Sequence, residues 1–277
     1  MNAVWTMARV TLREAARRRI LWTAVSAAAL LLVIFGVALH FQVLEFESRS
    51  MSPFVRYQVE AGMLMVGLYT CDLLAVVMTI LTSIDTLAGE IGLGTIQAIA
   101  TKPIARWQIL LGKFAGYVGM SAVYVACTFA GTVAVAYAVT GVLPVHPIQG
   151  AILIELECIV ALTVTFALGT RFATVTTGVL ALGLQAAAFM GGWLEQVSGF
   201  SQSADIVTLG VITSLIMPGE SLWRRAAYEM QTPLAGSLSF SPFANTSIPS
   251  IMAVMYAIAF AAVILCVAIR HFQRRDL

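Results

Sequence analysis

Apolar residues in this chain come in long blocks, broken by short polar or Pro/Gly-bearing stretches, rather than at the alternating positions of a half-buried fold. A hydrocarbon core of roughly 30 Å is crossed by about 20 apolar residues in a helix. Six blocks approach or exceed that length: residues 20–41, 61–84, 114–139, 148–168, 175–193 and 251–269. The pattern predicts an all-α integral membrane protein, one domain over residues 1–277 with six transmembrane helices. A further apolar stretch, 206–217, has only 12 residues. It is too short to cross, so a re-entrant or interfacial element is expected there, inside the long 194–250 connection.

Two other stretches have a pattern of their own. In residues 1–19, Trp5, Ala8, Leu12, Ala15 and Ala16 fall on one helical face, while Arg9, Arg13 and Arg17 recur every four residues on an adjacent face. This predicts an amphipathic interfacial helix whose arginines meet anionic lipid. Arg17, Arg18 and Arg19 precede the first apolar block as they would in a signal peptide, but that block greatly exceeds the ~7–15 residues of a signal h-region and is read as a span. Residues 85–113 form the longest connection on the basic side, with breaks at Gly89, Gly92, Gly94 and Pro103. Residues 95–101 fit a two-turn helix. Pro103 suits the first turn of a second helix, which continues into the third span through Trp107 and Leu110.

Charge sets the expected orientation. Positive loops stay cytoplasmic, and with both termini inside, the cytoplasmic side holds Arg9, Arg13, Arg17, Arg18, Arg19, Lys102, Arg106, Lys113, Arg171, Arg270, Arg274 and Arg275. Only Arg49, Arg56, Arg224 and Arg225 then lie outside. A cytoplasmic membrane location, multi-pass with both termini cytoplasmic, is the expectation, and it makes 194–250 extracytoplasmic. Composition agrees with lipid as the main solvent: 60% of residues are hydrophobic and 11% charged, against about 25% charged in soluble domains. Cys71, Cys127, Cys158 and Cys266 all fall inside spans without C-x-x-C spacing and are expected to serve as small packing residues.

The chemistry-bearing motifs are as telling by what they lack. A phosphate-binding loop needs G-x-x-x-x-G-K, and the Gly112-Lys113 pair has Trp107 where the first glycine belongs. Neither H-E-x-x-H nor G-x-S-x-G occurs, so catalysis by this chain alone, a cofactor or a metal site is not expected. The methionines, including Met252 and Met255, are read as packing residues. Three acids fall at membrane depth: Asp72 in the second block, Glu155 and Glu157 in the fourth. A charge there costs about 2.5–3.5 kcal/mol even on lenient insertion scales, so such residues face a bundle interior, a cavity or a partner. Two residues apart on a helix, Glu155 and Glu157 point about 200° from one another and cannot face one pathway.

With these residues in view, the 85–113 connection resembles a known family. Glu90, then Gly94-Thr95, then Lys102-Pro103-Ile104-Ala105-Arg106, then Gly112-Lys113 are similar to the E…GT…P-[ILV]-[ST]-R…GK pattern of permeases of type-2 ATP-binding-cassette (ABC) exporters, bacterial branch. The ending Phe272 to Leu277, a glutamate in the fourth span and the stretch GGWLEQVSGF also resemble that class. Ala105 departs from the usual Ser or Thr. The resemblance implies a permease with an N-terminal elbow helix and a coupling helix that meets a separate ABC ATPase (nucleotide-binding) subunit through Glu90, Gly94, Thr95, Lys102, Pro103, Arg106 and Lys113. It also implies a second permease copy, as homodimer or heterodimer, and export as the direction of transport. Asp72, Glu155 and Glu157 are then candidates for the translocation pathway. Lipid is the other expected partner, and nucleic acid is not. An ion-coupled secondary transporter using Asp72 and Glu155, or a non-transporting membrane scaffold, are the alternatives.

Overall fold

A computed structural model describes residues 3–17, 19–49, 52–92, 105–201, 204–231 and 249–274. The elements are α1 (Ala3–Arg17), α2 (Arg19–Arg49), α3 (Pro53–Gly92), α4 (Arg106–Thr140), α5 (Pro147–Gly169), α6 (Thr174–Ser201), α7 (Ala204–Ile216), α8 (Gly219–Met230) and α9 (Ile251–Arg274). Among the described residues, six helices are long and apolar enough to cross a membrane: α2 to α6 and α9. They contain the six apolar blocks. Each helix begins or ends where the sequence allows it: Pro147 starts α5 with a fixed φ and no N–H to lose, and Gly141 ends α4 at φ 73°, its N–H closing on Tyr137 O.

α3 and α5 make the centre of the bundle, each with 61% of its most apolar stretch buried, whereas the figure is 11% for α2 and 17% for α9. In a membrane, burial is decided by neighbouring helices and not by escape from lipid. The two outlying helices therefore present apolar side chains such as Phe41, Val33, Met252 and Met255 outward. Met252 and Met255 are 72% and 60% exposed, so they are not the internal packing stripe that their spacing suggests. Of the cysteines, Cys71 and Cys158 are buried and Cys127 and Cys266 exposed, so only the first two pack inside this chain.

The buried threonines of the core mostly bond back to their own helix. Thr79, Thr82, Thr128, Thr132 and Thr165 each donate to a carbonyl four residues earlier at 2.8–2.9 Å. That satisfies the hydroxyl without a partner helix. Hydrogen bonds between helices include that of Tyr124, whose hydroxyl donates to Ala24 O at 3.0 Å, and that of Thr86 with Tyr117.

α1 packs on α4, and the surface it uses differs from the face drawn by its sequence. Ala8, Thr11 and Ala15 are buried, while Trp5 and Leu12 are 64% and 42% exposed and Ala16 is exposed. The reason is close approach: Gly112 and Gly116 on α4 let the α1 backbone come near enough that a Cβ on Gly116 would stand 2.9 Å from Ala8 O and from Thr11 Cβ. Small residues thus set the packed face, and the large ones are left for lipid. Gly116→Ala is expected to loosen α1 by about 1–3 kcal/mol through overpacking. Trypsin cleavage at Arg9 or Arg13 should accelerate, while Gly62→Ala, whose added Cβ meets nothing within 4 Å, should leave it unchanged.

The bundle has two distinct ends. At one, the Arg106 guanidinium donates to Gln273 O at 3.4 Å, so the start of α4 meets the end of α9. At the other, Val145 N–H donates to Met230 O at 3.1 Å and His146 Nδ1 lies 3.2 Å from Glu229 O.

Candidate functional site

α7 and α8 form a hairpin beside α6 and α5. α7 runs back along α6, where a Cβ on Gly191 would collide with the Thr213 side chain. α8 lies against α5, reaching from the level of Glu157 at Gly219 to the level of Gly150 at Met230. The tip of the hairpin, Pro218-Gly219, thus stands halfway along α5. Its 12-residue apolar arm is too short to cross but long enough to reach this depth. Leu222, Trp223, Ala226 and Met230 are all buried against protein, and so are Glu220 and Arg224.

The carboxylates gather where this tip lands. Glu157, 2% exposed, accepts from Gln185 Nε2 at 2.9 Å. Gly219 brings the α8 backbone close to this pair: a Cβ would stand 2.8 Å from Glu157 Oε1 and 3.3 Å from both amide atoms of Gln185. Glu220, next on α8, accepts from the Tyr69 hydroxyl of α3 at 3.4 Å. Asp72, one helical turn along α3 from Tyr69, is 3% exposed. Tyr69, which ties Glu220 to α3, thus brings Asp72 to the same level of the bundle as the hairpin tip. Asp72 Oδ1, Glu157 Oε2 and Gln185 Oε1 have no hydrogen-bond donor and Arg224 Nε has no acceptor, so unsatisfied acceptors outnumber unsatisfied donors here. Tyr69 stacks on Phe189, with centroids 6.0 Å apart, and meets Trp223 at 4.8 Å; Phe189 continues to Trp193 at 6.1 Å.

Glu155 lies elsewhere. It accepts from Ser121 of α4 at 2.7 Å, on the side of α5 opposite Gln185, as a two-residue separation dictates. Asp72 and Glu157 thus share one cluster, and Glu155 stands in a separate polar contact between α4 and α5. Glu220, Gln185, Tyr69 and Arg224 complete the arrangement without having stood out in the sequence. The usable signal was Pro218-Gly219 closing an apolar run too short to span, followed directly by an acid.

Of the residues expected to contact an ATPase, Glu90 lies in the last turn of α3 and Arg106 in the first turn of α4. Gly94, Thr95, Lys102 and Pro103 lie outside the described residues, as does the helix expected over 95–101. Lys113 is 3% exposed, so a docking surface here would end before it. Ala105 caps α4 with no side-chain bond; instead its N–H donates to the Gln108 side chain at 3.3 Å.

No curated protein matches the chain. The family described as ABC-2 family transporter protein matches residues 5–277, nearly the whole length and every helix described above. Six apolar helices around a polar centre, together with that match, make this chain a multi-pass membrane protein that belongs to the ABC-2 transporter family as one of its permeases.

Proposed function

We propose that the chain forms the substrate pathway of an ATP-driven exporter in a cytoplasmic membrane, with ATP hydrolysed by separate nucleotide-binding subunits. Family membership makes the chain a membrane transport component, not itself catalytic, and implies an ABC ATPase and another permease as partners. The observation that carries the pathway reading is the buried set of acids in the spans. Asp72 and Glu157 are held between α3, α5, α6 and the α7–α8 hairpin, at a depth where carboxyl groups rarely occur without a function. Residues 90–106 join the two helices α3 and α4 at the basic end, where an ATPase would push. α3 and α4 are continuous helices of 40 and 35 residues, so on this reading motion at their joined ends is carried along them towards the acids. α7 and α8 then enter the membrane from the far side and turn back.

Co-expression with an ABC ATPase subunit tests this reading. Purified alone, the chain is expected neither to bind nor to hydrolyse ATP, and turnover appears only in the complex. Hydrolysis by the chain alone that a substitution within it abolishes would overturn the assignment. Orientation is checked by single introduced cysteines: a membrane-impermeant reagent on intact cells should label position 231 and spare 102 and 273.

A further inference from the structure

We propose that the Asp72–Glu157–Glu220 cluster and the ring wall of Tyr69, Phe189 and Trp193 form a binding site for a lipophilic primary ammonium. This assigns a substrate class to the pathway, and so rests on the permease reading.

Two independent features point to an N–H-bearing cation. The first is an imbalance of hydrogen bonding. Three buried acceptors, Asp72 Oδ1, Glu157 Oε2 and Gln185 Oε1, lack a donor, and Gln185 is only 8% exposed with its amide aimed at the hairpin tip. Arg224, one turn after Glu220 on α8, is 4% exposed, and its Nε is the one unsatisfied buried donor among the described residues. Buried polar groups are almost always satisfied, and a primary ammonium supplies three donors and one positive charge.

The second feature is the ring wall. Trp193 is 38% exposed, Phe189 and Tyr69 are half-buried, and Trp223, against Tyr69, is 3% exposed. These rings lead from the surface of α6 to the Glu220 carboxylate, to which the Tyr69 hydroxyl already donates. Aromatic faces attract cations and solvate alkyl chains equally well. The arrangement therefore takes an ammonium head at the carboxylates with its apolar body along the rings. Neutral amphiphiles meet the rings but leave the acceptors unsatisfied.

The test uses the purified permease in phosphatidylcholine nanodiscs, with dansylcadaverine as a fluorescent primary ammonium and N-pentyl dansylamide as its neutral counterpart; empty nanodiscs correct for partitioning. The ammonium probe is expected to bind saturably and the neutral one roughly tenfold more weakly or worse, the loss of a charge-assisted partner being worth that much. Glu220→Gln should weaken the ammonium by a similar factor and leave the neutral probe unchanged. Should Glu220→Gln fail to fold, displacement of dansylcadaverine from the parent protein by nonylammonium but not by nonan-1-ol decides instead. Equal binding of both probes, or displacement by sodium ions alone, overturns the proposal. Retention and coupling of the ATPase are measured in parallel on the permease–ATPase complex: intact ATPase coupling without ammonium preference sinks this inference and leaves the permease reading standing.

Discussion

Reversal of charge at either border of the 90–106 segment is expected to release the ATPase subunit while leaving the permease folded. Glu90 sits in the last turn of α3 and Arg106 in the first turn of α4. Each is therefore at the end of a helix where its own charge is disfavoured by the helix dipole. Glu90→Lys and Arg106→Glu both correct that mismatch, and should stabilise their helices by ~0.3–1 kcal/mol. Arg106→Glu also removes the guanidinium contact to Gln273 O, at 3.4 Å a weak one. If the two charges are kept for a partner, breaking a buried charged pair across that contact costs ~2–5 kcal/mol, so retention of the ATPase should fall at least ~30-fold. Pull-down from detergent extracts, with melting of the permease alone as the folding control, reads both quantities. Parental retention in both variants would make this segment an ordinary loop.

Filling the hairpin tip is expected to have the largest effect on stability. Gly219→Leu places a side chain where a Cβ alone would stand 2.8 Å from Glu157 Oε1 and 3.3 Å from Gln185. Those two cannot both yield, since they bond to each other at 2.9 Å. Either α8 is pushed off α5, or Gln185 leaves and Glu157 stays buried without a donor. Overpacking costs about 1–3 kcal/mol and an unsatisfied buried group about as much again, so a loss of ~3 kcal/mol or more follows. Gly62→Leu, with open space around the added Cβ, serves as control. Thermal melting of the two variants in one detergent should separate them widely; near-identical curves would mean that the tip does not depend on a bare backbone at Gly219.

Much of this architecture was legible because lipid imposes a simple demand. A spanning helix must satisfy every backbone group internally and present about 20 apolar residues, so residues 61–84 and 251–269 declare themselves by length alone. The same demand made Asp72 and Glu157 conspicuous, since nothing about a hydrophobic helix calls for a carboxylate. The face of α1 was less legible. A helical wheel counts Trp5 and Leu12 as the apolar side, but Gly112 and Gly116 on another helix decided that Ala8, Thr11 and Ala15 would be the packed ones.

The sequence by itself determined the number of spans, the basic end of the bundle and the depth of the acids, because each depends on one segment and its solvent. Which acids meet was decided only by tertiary structure. Glu157 and Glu220 are 63 positions apart and come together because α7 and α8 turn back inside the bundle at Pro218-Gly219, while Glu155, two residues from Glu157, is turned away to Ser121. Proximity across helices follows from how closely backbones pack, which glycines on the partner helix set. Neither the period of a helix nor its hydropathy contains that information.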